Sequence, residues 1–195
     1  MRELRFPASE AEIRALKVGD ELAVSGVIVT ARDAAHKFMV EHSRDETPVA
    51  DALKDGAIYH CGPVTIQEGG EWKFLAAGPT TSIREEPYQA AVMEKFGVRG
   101  VIGKGGMGPK TVEACRRLGG VYLHAIGGAA SSLAQCVKRV LAVHKYEEFG
   151  PPEAFWVIEV EKFPVVVTID SRGESLHQKI LEMSKQNLES LLSKP

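Results

Sequence analysis

Lys104 stands in Val101-Ile102-Gly103-Lys104-Gly105-Gly106-Met107-Gly108-Pro109, a run with four glycines between an apolar stretch and a helical pattern. A glycine-rich turn that feeds a helix presents backbone N–H groups at the positive end of the helix dipole, which suits an anion. Gly103, Gly105 and Gly108 also have the spacing G-x-G-x-x-G. A dinucleotide fingerprint, however, needs an acidic residue about 20 positions further on for the ribose. Ala125-Ile126-Gly127-Gly128-Ala129 offers none there. A P-loop fails too, because Lys104 precedes the later glycines and no Ser or Thr follows it. A smaller anion such as a carboxylate fits better, gripped by Lys104. Arg32 falls at a strand-to-helix junction and Arg84 follows Gly78-Pro79-Thr80-Thr81-Ser82 at a helix entrance. Three cations at strand ends would bind a dicarboxylate. Each feature has a plainer alternative: a solvated lysine in a tight turn, a surface ion pair for each arginine, and helix capping for Thr80, Thr81 and Ser82. No Ser-His-Asp or Cys-His spacing stands out.

The whole-chain balance excludes other classes. With 195 residues, 44% hydrophobic and 26% charged, the composition is that of a globular protein, expected as one domain over residues 1–195. A net charge of −2 gives no reason to expect nucleic acid or an anionic membrane. No apolar run approaches the roughly 20 residues of a membrane span, and Met1 to Pro7 lacks the apolar core of a signal peptide, so a cytoplasmic location is expected. Cys61, Cys115 and Cys136 are odd in number and widely spaced, which argues against a disulfide framework. Cys115 and Cys136 read as small core residues in helical patterns. His60 and Cys61 are neighbours on a strand, so their side chains point to opposite faces and do not share a metal. No metal site is expected within this chain.

The elements that must position these residues follow from pattern and punctuation. A short strand over 3–7 leads to Ser9 and Glu12, which have capping-box spacing and open a helix through Leu16. A valine-rich strand is expected over 21–30, with Asp33 as N-cap of a helix through His42. A helix over 48–54, a strand over 57–60, and a hairpin over 64–67 and 72–76 come next. A helix over 87–96 precedes the strand over 98–102 and the glycine run, after which Pro109 starts a helix through Leu118, closed by Gly119-Gly120. The same grammar then repeats: a strand over 121–126, Gly127-Gly128, and a long helix over 131–146. Two strands over 155–160 and 165–170 and an amphipathic helix over 176–192, about 175–193 at its widest, complete an α/β chain with a mixed sheet.

Four segments, in order and spanning nearly the whole chain, carry a family resemblance: Thr30-Ala31-Arg32-Asp33-Ala34-Ala35-His36, Gly78-Pro79-Thr80-Thr81-Ser82, Gly103-Lys104-Gly105-Gly106-Met107-Gly108, and Pro152-Glu153-Ala154-Phe155-Trp156. Together they resemble the β subunit of two-subunit class I fumarate hydratases, which corresponds to the C-terminal domain of the single-chain forms. The β subunit of L-tartrate dehydratase is a close relative sharing the Pro-Thr-Thr-Ser and Gly-Lys-Gly-Gly-Met-Gly elements. The resemblance implies a swivelling β/β/α domain and a hydro-lyase interconverting (S)-malate with fumarate and water. It also implies a [4Fe–4S] cluster held by three cysteines of a partner α subunit, in an α2β2-type assembly.

Carried over by position, the resemblance makes Arg32, Arg84 and Lys104 the carboxylate contacts, with Thr81, Gly105 and Gly106 beside the substrate. It makes Thr80 the base for the C3 proton of malate, with Lys104 assisting. A threonine hydroxyl is a poor base unless Lys104 and Arg84 favour its alkoxide and a carboxylate of the partner subunit shares the proton, so hydrogen bonding to substrate is the alternative role. Asp33 and His36 are expected as supporting groups, Asp33 orienting Arg32. The chain departs from the family after Arg84, where Arg84-Glu85-Glu86-Pro87 stands in place of the common Arg-Met. Three alternatives to the fumarate reading stay open: tartrate dehydration, an anion-binding or regulatory module without chemistry, and a purely structural subunit.

Overall fold

The computed structural model describes residues 1–193, so Lys194 and Pro195, the last positions of the expected domain, lie outside it. Strand β1 (Arg2–Phe6) leads to helix α1 (Glu10–Arg14), where Ser9 and Glu12 form the expected reciprocal capping box. Strand β2 (Glu21–Thr30) is followed by α2 (Asp33–Glu41), α3 (Ala50–Leu53) and β3 (Ala57–Tyr59). The hairpin of β4 (Val64–Glu68) and β5 (Glu71–Ala76) turns at Gly69 and Gly70, both at positive φ. A 3-10 turn at Ser82–Glu85 runs into α4 (Glu86–Phe96), β6 (Gly100–Gly103) and α5 (Pro109–Leu118). The chain continues through β7 (Val121–His124), α6 (Ala130–Gln135), β8 (Val137–His144), α7 (Tyr146–Phe149), β9 (Phe155–Ile169) and α8 (Leu176–Leu192).

The large sheet is mixed, in the order β1-β2-β3-β6-β7-β9-β8, with a further β2–β9 pairing. Strands β2, β3, β6 and β7 run parallel, and β9 is antiparallel to both β7 and β2. The hydrogen-bonded path therefore returns to β2 and the sheet closes on itself. Side-chain alternation sorts two cores. Ile28, Tyr59, Ile102, Leu123, Trp156 and Ile158 point one way with Phe6, Ile13 and Phe163. Their strand neighbours Val29, Ile58, Val101, Tyr122, Phe155 and Val157 point the other way, against Met39, Leu53, Val92, Phe96 and Cys115 of the helices. In register, Thr30 meets Tyr59, Tyr59 meets Ile102, and Gly103 meets His124. The C-terminal ends of four parallel strands thus share one rim, the end at which α/β sheets, open or closed, bind ligands.

Two expected elements take a different form. The long helix over 131–146 is instead the short α6, the strand β8 and α7. The register of β8 on β9 shifts twice, between Val137 and Arg139 and between Val140 and Ala142. These bulges bring Val137, Val140 and Val143 onto one core, a spacing of three that imitates a helical stripe. The two strands expected on either side of Lys162 are one strand, β9. Pro164 has no N–H to donate, yet it sits opposite Ala23 within the β2 ladder, and Lys162 at φ 51 absorbs the bend. Helix α8 forms where expected but buries none of its residues. Among the described residues, no helix is long and apolar enough to cross a membrane.

Candidate functional site

At the shared rim, residues 79–82 act as an extra strand segment between the ends of β3 and β6. Cys61 bridges Pro79, and Thr81 bridges Lys104 in parallel register. Thr80 N donates to His60 O at 2.6 Å, Lys104 N to Thr80 O at 3.3 Å, and Ser82 N to Lys104 O at 2.9 Å. Backbone pairing alone therefore sets Thr80 and Thr81 beside Lys104. The expected capping role of Thr80, Thr81 and Ser82 is not found, since the 3-10 turn has no side-chain cap. Lys104 is half-buried, and its stem runs past Gly127, where an added Cβ would stand 3.4 Å from Lys104 Cδ. Its ammonium has no hydrogen-bond or ion-pair partner among the described residues.

The arginines are engaged. Arg84 pairs with Asp33 at the start of α2, so Asp33 orients Arg84 and not Arg32 as expected. Asp33 is also not the N-cap of α2; Arg32 holds that position without a side-chain cap. Glu153 replaces the missing cap from outside the helix, accepting Ala34 N at 2.9 Å through Oε2. Its Oε1 lies 3.2 Å from Arg32 Nε, close enough for charge pairing but not aligned as a hydrogen bond. The Arg32 guanidinium passes over Gly62, where an added Cβ would meet Nη1 at 2.4 Å. The structure thus brings Arg32, Asp33 and Arg84 into one charged group, three residues along the chain from the Thr81–Lys104 bridge.

The glycine turn differs from its sequence reading in two respects. The N–H groups of α5 are already occupied by an internal anion, Glu86. Its carboxylate accepts from Gly108 N at 2.8 Å, Lys110 N at 2.9 Å, Thr111 N at 3.3 Å and Thr111 Oγ1 at 2.7 Å. An incoming carboxylate must be met by side chains, not by the helix end. Gly105 and Gly106 adopt φ +82 and +79 and turn the chain. Gly105 is exposed, but Gly106 is covered by the His177 ring, 2.6 Å from where a Cβ would stand, so it does not face a ligand.

Beneath the rim lies a buried polar layer that sequence reasoning missed. His36, His60, Gln89 and Ser82 are fully buried, as is Tyr122. His36 Nδ1 lies 2.9 Å from Arg32 O, which only accepts, so that nitrogen carries the hydrogen. Burial lowers the pKa of His36 and pushes that of His60 down to about 3, so both rings are neutral. His36 Nε2 and His60 Nε2 lie 3.0 Å and 2.8 Å from Gln89 Oε1, which joins the two rings. His60 Nδ1 and Ser82 Oγ form a hydrogen bond at 2.9 Å, and Tyr122 OH donates to the same oxygen at 2.9 Å. An added Cβ at Gly103 would stand 1.9 Å from Ser82 Oγ, so only glycine admits this layer under β6. His36, expected as a supporting group, lies in this layer through its ring.

The cysteines do not suit an iron–sulfur cluster. Cys61 and Cys115 are fully buried, and burial raises each thiol to about 12, far from a ligating thiolate. They also belong to opposite cores. Of the groups that sequence reasoning overlooked, Glu153 lay inside a quoted motif and His60 was weighed only as a metal ligand. Gln89 and Glu86 gave no local signal.

A family model described as the fumarase C-terminus matches residues 2–180. The chain is 52% identical over 186 residues to "Putative fumarate hydratase class I" of Geobacillus stearothermophilus, an alignment covering 95% of this chain and 35% of that protein. It is 36% identical over 174 residues to the L(+)-tartrate dehydratase subunit beta of Escherichia coli strain K12, covering 89% of this chain and 85% of that one. A Methanocaldococcus jannaschii protein named "Putative L(+)-tartrate dehydratase subunit beta" is 35% identical over 185 residues, with 94% and 95% covered. The chain thus spans about a third of the Geobacillus relative and most of the tartrate dehydratase subunits. With a matched family model over nearly all its length, the chain belongs to the fumarase C-terminus family, that of the β subunits of class I fumarate hydratases and L(+)-tartrate dehydratases.

Proposed function

We propose that this chain is the β subunit of a two-subunit hydro-lyase that interconverts (S)-malate with fumarate and water, and that it supplies the cationic wall of the site. The observation that carries the reading is the unpaired Lys104 ammonium, held by the Thr81 bridge at the rim that also presents Arg84 and Arg32. In this reading Lys104 meets one substrate carboxylate directly. Arg84 exchanges Asp33 for the other carboxylate, and Arg32, steadied by Glu153, adds charge behind it. Thr80, fixed through both its N–H and its C=O, faces the substrate as an alkoxide favoured by Lys104 and Arg84, its own proton held by a carboxylate of the partner subunit. It takes the C3 proton to become a hydroxyl while the C3–H electron pair forms the double bond, and the C2 hydroxyl leaves as water with the proton held by that carboxylate. Thr81 and Gly105 line the entrance. The [4Fe–4S] cluster implied by the resemblance belongs to the partner α subunit in this proposal, because the cysteines here do not fit as its ligands.

The 52% identity to the protein named as a fumarate hydratase, against 36% for the tartrate dehydratase subunit, favours malate and fumarate. Tartrate is the second reading, supported by the 36% and 35% identity to proteins named as L(+)-tartrate dehydratase β subunits. Anaerobic reconstitution with the cysteine-bearing partner, assayed side by side with malate and L-tartrate, tests both. Preferential turnover of malate supports the proposal; preference for tartrate replaces it with the second reading; turnover of neither leaves an anion-binding or structural role.

A further inference from the structure

Glu85 follows Arg84 in the 3-10 turn and is fully buried. Neither carboxyl oxygen has a hydrogen-bond partner among the described residues. The nearest titratable neighbour is His36, whose Nδ1 lies 3.5 Å from Glu85 Oε2. An ionised carboxylate in such a place lacks the donors it needs, whereas a neutral carboxyl leaves far less unsatisfied. The charged groups around it are Asp33 at the start of α2, Arg84 beside it, Glu153 before β9 and Arg32 after β2, with His36 on α2. Burial and then the Asp33 charge push the Glu85 carboxyl up to about 7, against the pull of Arg84. His36 is itself held neutral by burial, its Nδ1–H spent on Arg32 O, so Glu85 is the member of this pair that exchanges a proton with solvent near neutrality.

We propose that Glu85 is a proton-holding residue built under the arginine pair, taking up a proton from solvent when Arg32 and Arg84 bind a dicarboxylate. This rests on the dicarboxylate reading of the site. The ligand adds negative charge beside Asp33 and Glu153 and engages the two guanidiniums that now offset Glu85, and both changes disfavour a carboxylate at this position. By linkage, dicarboxylate affinity then falls as pH rises above neutrality. Glu85 acts on the ligand through the arginines and is a positioning residue.

The test uses the two-chain enzyme and malate. Titration calorimetry in two buffers of different ionisation heat, at about pH 7.5, should show fractional proton uptake on malate binding, with none in Glu85→Gln. The affinity of that variant should not vary between about pH 6 and 8. Equal uptake in wild type and variant overturns the proposal. Infrared titration of the full chain provides a ligand-free readout: a carboxylic C=O band that titrates near pH 7 and is missing in Glu85→Gln supports a proton on Glu85. Absence of such a band in the wild type overturns it. Glu85→Met, apolar and of similar length, serves the same comparisons should the glutamine variant not fold. If malate fails to bind the wild-type enzyme, the dicarboxylate reading fails and the coupling with it, while the infrared band still decides whether Glu85 holds a proton.

Discussion

Two glycine-rich turns leave the same rim, one after β6 and one after β7, and they lead to different structures. Gly103-Lys104-Gly105-Gly106 feeds α5, ten residues long, whose N-terminus is closed by Glu86. Gly127-Gly128-Ala129 feeds α6, six residues long and without a side-chain cap, after which the chain becomes strand β8. Glycines after a strand permit a turn but do not specify its sequel. The sequel is set from elsewhere: a carboxylate arriving from α4 in the first case, and the ladder offered by β9 in the second. The two turns are also unequal in function. The first carries the unpaired lysine, and the second leaves room for that lysine's stem at Gly127.

Substitutions in the two turns sharpen this contrast. Lys104→Ala should lower kcat/KM for malate by about 10²–10³-fold, the scale of losing one preorganised charge contact. Its melting temperature should stay at the wild-type value, because the ammonium has no partner among the described residues. In the same turn Gly103→Ala drives a methyl group into Ser82 Oγ, 1.9 Å away. Chemical denaturation should show a loss of about 3 kcal/mol. Glu86→Gln weakens the closure of α5 and should cost about 1–2 kcal/mol by the same measurement. Gly128→Ala, in the second turn, meets no atom within 4 Å but sits at φ +85. It should cost about 1 kcal/mol and leave malate turnover unchanged. A larger loss in turnover for Gly128→Ala than for Lys104→Ala would break the contrast.

The buried layer under the first turn predicts a pH dependence with two limbs. His60 is depressed to about 3 from its ordinary 6.5, so its contribution is present above pH 6.5 and lost as pH falls toward 3. Glu85 is raised to about 7 from 4.5, so its contribution is present below pH 4.5 and lost as pH rises through about 7. Denaturation across pH should therefore show Glu85→Met gaining stability over wild type at about pH 8, by roughly 1–3 kcal/mol, with little difference at about pH 5.

Much of the frame was legible because its signals are local. The Ser9–Glu12 capping box, the valine-rich β2, and the Pro109 start and Gly119 stop of α5 each depend on residues within a turn or two. The helix read over 131–146 failed because bulges gave β8 a false helical spacing, and pairing with a distant strand is invisible in a local pattern. The site divides in the same way. Thr80, Thr81, Arg84 and Lys104 were legible from short motifs, and the structure brings Thr81 and Lys104 together by a backbone bridge. Glu153 reaching Ala34, Glu86 reaching α5, and Gln89 joining His36 to His60 are contacts between residues far apart in sequence, which no spacing rule could reveal.

The most direct test of the cationic wall is a crystal structure of the two-chain enzyme with malate bound. The account predicts one carboxylate within hydrogen-bonding distance of Lys104 Nζ and the other on Arg84, with Asp33 released and Glu86 still closing α5. A malate carboxylate seated on the Gly108, Lys110 and Thr111 N–H groups with Glu86 displaced, or bound away from Lys104 altogether, would contradict it.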